Sequence, residues 1–198
     1  MAFVGMRCPV WAPITQETEG QPVVYGEGVV LGEAISAEVT LERADAKLYA
    51  DDSLAESDNS ITGGSVSLTV DDIDDEVLAK VMDLQAGADG EYNETGDASP
   101  YGGLGYVRVR KKKGKSSYTA MWLHKVQLGQ SSDSTRTKGE STEYQTPTLE
   151  GSIIGVVIDE SLKTTYRSRK TFETVDAAIG WLKAKAHITE AAAAATEG

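Results

Sequence analysis

Two stretches of this chain alternate residue by residue between apolar and polar side chains, and that alternation constrains the fold more than any other feature. In 34–42, Ile35, Ala37, Val39 and Leu41 fall on one side, and Ser36, Glu38, Thr40 and Glu42 on the other. In 64–70, Val66, Leu68 and Val70 oppose Ser65, Ser67 and Thr69. A period of two describes a strand with one buried and one wet face. The Lys47–Ala50 segment reads as a continuation of the first strand or a second short one, and 51–61 as a polar, acidic loop. Residues 104–129 read as a long hairpin turning at Gly114, with Tyr118, Ala120, Trp122, Val126 and Leu128 on one face of the return strand. Two more strands are expected at 149–158 and 163–172.

The period lengthens in two places. Ile73, Val77, Val81 and Leu84 follow helical spacing beside Leu78, which predicts a helix of about three turns. Asp72 is placed to cap it, and Asp74, Asp75 and Glu76 sit where the helix dipole favours anions. A second helix is expected from Thr174, with Val175, Ala178, Ile179 and Leu182 on one face and Lys183 and Lys185 near its C-terminal end. Three segments read as loops or extensions: the Pro- and Gly-bearing 1–28, the Gly/Asp/Asn-rich 85–103, and the Ser/Thr/Gly-rich 129–141. The expected organisation is an extended N-terminal arm over 1–28, a β domain over 29–187, and a disordered tail over 188–198. Because Trp11, Val23, Val24 and Tyr25 gain from burial, the arm is expected to lie on its own domain or on a neighbour. The fold class is mainly β with two α-helices (α+β).

Composition narrows function. The 198 residues carry 19 Lys+Arg against 31 Asp+Glu, a net charge of −12. That disfavours a protein that wraps nucleic acid, because phosphate binding needs local cations. A single cysteine, Cys8, allows no intramolecular disulfide and no cysteine-based zinc site. No secretory leader is visible, so a chain made and folded in a cytoplasm is expected.

Candidate chemistry is sparse. A Ser-His-Asp triad needs a His with a carboxylate partner. His124 shares a face with Trp122 and Val126 and reads as a hydrogen-bonded structural residue, and His187 as a helix-end residue. The acidic run Asp71–Glu76 and the loop around Asp89 lack calcium-loop spacing, so no metal is expected. Asn93-Glu94-Thr95 is a formal glycosylation sequon without a secretory context. Gly102-Gly103-Leu104-Gly105 leads into a strand, not a helix, so it lacks the helix N-terminus that would meet a phosphate. Lys111, Lys112, Lys113 and Lys115 cluster at a hairpin tip and read as a solvated turn. Long loops without a catalytic set suit assembly better than catalysis; no cofactor is expected, and the chain is not expected to be an enzyme.

Several segments taken together carry a resemblance. They are Pro9-Val-Trp-Ala-Pro13, Gly32-Glu-Ala-Ile-Ser-Ala-Glu-Val39, Ala46-Lys-Leu-Tyr-Ala-Asp-Asp52, Pro100-Tyr-Gly-Gly-Leu-Gly-Tyr106, Trp122-Leu-His-Lys-Val126, Thr137-Lys-Gly-Glu-Ser141 and Gln145-Thr-Pro-Thr-Leu-Glu-Gly151. In this order and spacing, over roughly residues 9–182, the chain resembles the major tail protein (tail tube protein) of phages with long, non-contractile tails. His124 departs from the pattern, which more often has an aromatic there. No appended immunoglobulin-like domain is expected.

The resemblance implies a β-sandwich or partial barrel with a flanking helix. Hexameric rings of it would stack into a tube that conducts DNA to the host without binding it specifically. It implies a virion tail location, assembly in the host cytoplasm and no membrane. The implied partners are other copies of the chain, a tape measure protein inside the tube, and tail-terminator and distal tail proteins at its ends. On this resemblance Ser36, Glu38, Thr40, Glu42, Ser65, Ser67 and Thr69 are expected to face the lumen. Asp51, Asp52, Leu54, Glu56 and Asp58 would form the inter-ring loop, and Trp11, Pro13 and Tyr25 a subunit-contact arm. Rival expectations are a ring protein of a related bacterial secretion or injection tube, and a monomeric ligand-binding β-sandwich.

Overall fold

The computed structural model describes residues 2–50, 53–112, 114–130, 146–158 and 163–189. The chain opens with strand β1 (Ala2–Gln16), the short β2 (Val24–Tyr25) and β3 (Val29–Val30), then β4 (Ala34–Arg43), β5 (Ala46–Ala50), β6 (Ser53–Asp58) and β7 (Ile61–Val70). Helix α1 (Asp75–Met82) follows, then the small strand pair β8 (Gln85–Ala86) and β9 (Tyr92–Asn93). The long hairpin β10 (Tyr101–Lys112) and β11 (Lys115–Gln130) comes next. The chain continues through β12 (Thr148–Ile154), β13 (Val156–Val157), β14 (Thr164–Thr165), β15 (Arg167–Phe172) and helix α2 (Val175–Lys185). The fold is mainly β with two helices, and its sheets are antiparallel.

Seven strands of the principal sheet run in the order β2-β1-β10-β11-β12-β7-β4, with β3 beside β1 and β15 beside β11. Strand β11 is long enough that β15 pairs with its first half (Tyr118–Leu123) and β12 with its second (Lys125–Gln130), both on the same edge. The expected arm is therefore a structural strand: β1 pairs with β10 from Ala2↔Lys111 to Pro13↔Gly102. Its prolines do not exclude it, because Pro9 lies where the register shifts between Arg7 and Val10.

Two apolar clusters hold the sheet. One lies under α2 and joins Val10, Ala12, Tyr25, Val107, Ala120, Trp122, Ala178 and Leu182. The other joins Trp11, Leu31, Leu104, Leu123, Val126 and Leu128 to Val66, Leu68 and Leu149 from the far wing, with Val81 of α1. Cluster two is thus enclosed by a sheet curling on itself, with Met6 of β1 and Ala37, Val39 and Leu41 of β4 packed against it. Among the described residues β1 and β4 approach but do not pair, so the sheet does not close into a barrel there.

The return strand β11 departs from the expected single face. Gly102 faces Val126 while Leu104 faces Leu123, so β11 spends one residue more than β10 near His124–Lys125. Such a bulge swaps faces. Tyr118, Ala120 and Trp122 accordingly pack on the α2 side, whereas Leu123, Val126 and Leu128 pack in cluster two.

The first helix is shorter and differently capped than its pattern suggests, whereas the second matches its pattern. The first has eight residues, about two turns, and its N-cap is Asp74 rather than Asp72. The Asp72 carboxylate instead accepts from the Ile73 N–H at 2.9 Å. The second starts as expected, the Thr174 hydroxyl accepting from the Ala177 N–H at 3.4 Å. It ends with His187 at φ 52° and the Ile188 N–H donating to the Lys183 carbonyl at 2.9 Å. Ile188 is buried in the first cluster, so the fold extends past the expected domain limit at 187. The remaining tail, 190–198, and most of the 129–141 loop lie outside the described residues. No helix among the described residues is long and apolar enough to cross a membrane.

A candidate assembly surface

The seven residues expected on a wet face do share one. Register places Ser36 opposite Thr69, Glu38 opposite Ser67, and Thr40 opposite Ser65. Directly paired residues on antiparallel strands project to the same side. The face continues onto β12, where Thr148, Glu150 and Ser152 pair with Thr69, Ser67 and Ser65, and onto β11 through Gln127 opposite Ser152. The Thr69 and Thr148 hydroxyls bond across the strands at 3.1 Å. The reverse side of β7 is closed by Val66, Leu68 and Val70, all buried. Sequence reading missed the β12 contribution, although Thr148, Leu149, Glu150 and Ile153 carry part of the signal, with Gly151 blurring it.

The face is acidic in its middle, with Glu38, Glu42 and Glu150 exposed. At its margin Lys125 is engaged elsewhere: its Nζ lies 2.5 Å from the Glu17 carboxylate and 4.6 Å from the Tyr101 ring centre. One residue of the alternation breaks rank. The β4/β7 register shifts between Ala34 and Ser36, and the bulge turns Ile35 outward, leaving it 53% exposed. The inward set is Ala37, Val39 and Leu41 alone.

The segment expected as a loop after β4 is largely a hairpin. Strands β5 and β6 pair from Ala46↔Asp58 to Ala50↔Ser53, placing Leu54, Glu56 and Asp58 on β6; Asp51 and Asp52 lie outside the described residues. The hairpin prolongs the β4–β7 ladder through the Ala44 N–H donating to Ser60 O at 2.8 Å and the Arg43 guanidinium donating to Asn59 O at 3.1 Å. Among the described residues, β5 and β6 pair only with each other.

The contact-arm residues are placed differently from expectation. Trp11 is 1% exposed in cluster two, and Tyr25 is 8% exposed, meeting Trp122 edge-on at 5.1 Å between ring centres. A neighbouring subunit cannot touch side chains that the chain itself covers, so Trp11 and Tyr25 are core residues. Pro13 is half-buried opposite Gly102. The same indoles explain the Gly102-Gly103-x-Gly105 pattern. A Cβ at Gly102 would run into the Trp11 ring, one at Gly103 into Trp122 and Tyr25, and one at Gly105 into Trp122 and Leu182. The glycines let rings lie flat on β10, a packing reason that owes nothing to phosphate.

His124 is held on three sides. The Tyr25 hydroxyl donates to the His124 carbonyl at 2.9 Å and lies 3.4 Å from Nδ1, while Nε2 lies 2.7 Å from the Ser168 hydroxyl. This network fits a neutral ring donating from Nδ1 and accepting at Nε2. Burial, with the Lys185 charge adding, pulls its pKa down to about 4, and burial pushes the Tyr25 hydroxyl up to about 12. A Ser–His pair exists here, but its third partner is a phenol rather than a carboxylate, so the arrangement lacks what holds an imidazolium in a triad. In the acidic run, the Asp71 carboxylate accepts from the Glu33 N–H at 2.7 Å. Among the described residues no three His, Cys, Asp or Glu side chains converge as a metal site.

No protein-family model matches this chain. No curated protein matches it either.

Proposed function

We propose that the chain is a structural subunit of a tube: the tail tube protein of a long, non-contractile phage tail, forming hexameric rings that stack into a conduit for DNA. The observation that carries this reading is the β4-β7-β12 wing. It has one apolar face and one continuous Ser/Thr/Glu face, and it ends on β4, a strand that pairs only with β7 among the described residues. A sheet edge left open invites another chain. Side-by-side joining of such wings would make a closed wall whose wet face lines the lumen. Its Glu38, Glu42 and Glu150 would repel phosphate, so DNA would slide rather than bind. In this reading the protein resides in the virion tail, is assembled in the host cytoplasm, and meets a tape measure protein inside and terminator and distal proteins at its ends. Its role is structural, without a catalytic step.

Electron microscopy of the purified full chain tests the proposal, with rings or tubes of uniform bore expected. A monodisperse monomer across all concentrations overturns it in favour of a ligand-binding sandwich. Glu38→Lys tests the lumen assignment separately. It should leave tube formation intact and slow DNA passage at low salt, and unchanged passage would move the lumen to another face.

A further inference from the structure

Beyond the second cluster, the face of β10, β11 and β15 that turns away from α2 carries a band of cations. Register fixes its members. Arg110 lies opposite Ser117, and Tyr106 opposite Met121, across β10 and β11. Across β11 and β15, Thr119 lies opposite Thr171, Met121 opposite Arg169 and Leu123 opposite Arg167. Directly paired residues share a side, and so do residues two apart on a strand, so Lys115 joins Arg110, Arg167 and Arg169 on this face. The Arg167 charge reaches the buried Tyr106 hydroxyl, which puts both on the same side. The Thr119 and Thr171 hydroxyls bond to each other at 3.1 Å between the arginines. Arg108 lies in the same band and is already engaged. From Lys115 to Leu123, β11 rises roughly 26 Å. Lys115, Arg167 and Arg169 are exposed and Arg110 is half-buried. Among the described residues none of these four is ion-paired.

Cations on an edge strand ward off like strands. Strand β15 is such an edge, since among the described residues it pairs only with β11. That reason does not extend to Arg110, whose strand is paired on both sides and has no edge to guard. A nucleic acid fits the band poorly. Its one aromatic, Tyr106, is 5% exposed and offers no stacking platform, and a net charge of −12 repels a long polyanion. The acidic run of the chain itself is tied down, Asp71 accepting from the Glu33 N–H and Asp72 from the Ile73 N–H.

We propose that the free edge of β15, with the cationic band beside it, binds an extended acidic segment of another protein. The segment adds to β15 as a strand, with Asp or Glu at alternate positions opposite Arg167 and Arg169, and its continuation crosses the face toward Arg110. Backbone pairing holds the segment, and the guanidiniums select its charge. This site stands apart from the tube reading and does not depend on it.

The test measures fluorescence anisotropy of labelled probes with the full-length chain at low salt. The probes are a peptide alternating Glu with Thr, a peptide of the same composition with its Glu and Thr in separate blocks, a peptide alternating Lys with Thr, and oligothymidylate. The alternating Glu peptide should bind. The block peptide, which cannot place all its carboxylates on one side of a strand, should bind more weakly. Arg167→Glu/Arg169→Glu should lose about tenfold or more in affinity for the alternating Glu peptide. The same variant should gain binding of the Lys peptide, which a misfolded chain would not. Arg110→Gln should weaken the Glu peptide by about threefold. Equal binding of the two Glu peptides overturns strand addition, and variants that bind like wild type overturn the band. Tighter binding of oligothymidylate, or no binding of any probe, overturns the acidic segment. Self-association of the wild type that Arg167→Glu/Arg169→Glu abolishes in sedimentation gives the edge to a second copy and overturns the proposal as well.

Discussion

The two halves of the curled sheet solve the same problem in different ways. In the half built from β1, β10 and the first part of β11, both faces are covered, one by α2 and one by the enclosed second cluster. Its strands read accordingly, with Ala120, Met121, Trp122, Leu123 and His124 buried in succession and Gly102–Val107 buried without a break. In the β4-β7-β12 wing only one face is covered, and the sequence alternates. A strand buried on two sides needs apolar side chains at every position, and one buried on a single side needs them at every second. The first half therefore carries more of the buried packing, while the wing leaves one face exposed to solvent.

Substitutions can break this comparison, and the largest contrast lies in the doubly covered half. Trp122→Ala removes the ring that packs against Tyr25 and the α2 cluster, and should cost about 3–5 kcal/mol in denaturant unfolding. A loss below 1 kcal/mol would mean that α2 does not close that face.

Acid should act through the same half. His124 has a pKa of about 4 in the fold against 6.5 when exposed, so between those values the unfolded chain binds more protons. Stability should therefore fall as pH drops from 6.5 toward 4, by on the order of 3 kcal/mol once both states are protonated. Comparing wild type with His124→Gln across this window isolates the effect from the carboxylates, and parallel pH profiles would contradict it.

Gly103→Ala comes next. A methyl pressed between Trp122 and Tyr25 should cost roughly 1–3 kcal/mol, read as a lower melting temperature. The wing supplies the smallest effect: Glu38→Gln, exposed and opposite Ser67, should shift stability by no more than about 0.5 kcal/mol. A larger loss would show that the wet face is packed within the monomer rather than held open.

Much of the wing was legible because alternation is a local signal. Ser36, Glu38, Thr40, Glu42, Ser65, Ser67 and Thr69 fell on one face as their spacing required. Ile35 did not, because a bulge depends on how the partner strand is threaded and leaves no mark in the pattern itself. The β11 bulge likewise divides Trp122 from Val126, residues that plain alternation puts together. The N-terminal segment misled for another reason. Prolines and glycines suggested an arm, but pairing with β10 and packing of Trp11 and Tyr25, both non-local, make it part of the core. The 51–61 loop was misread because an acidic hairpin has too few apolar residues to declare itself.

Some properties were determined by the sequence alone: the mainly β class, a half-wet wing, two helices at their approximate places, and a net charge of −12. These follow from local periodicity and from counted charges, which need no knowledge of neighbours. The tertiary structure decided that Trp11 and Tyr25 face inward, that glycines on β10 serve indoles, and that the sheet curls without closing. Each depends on which residues meet across the chain, and for contacts between residues far apart in sequence that is set by the packing of the whole.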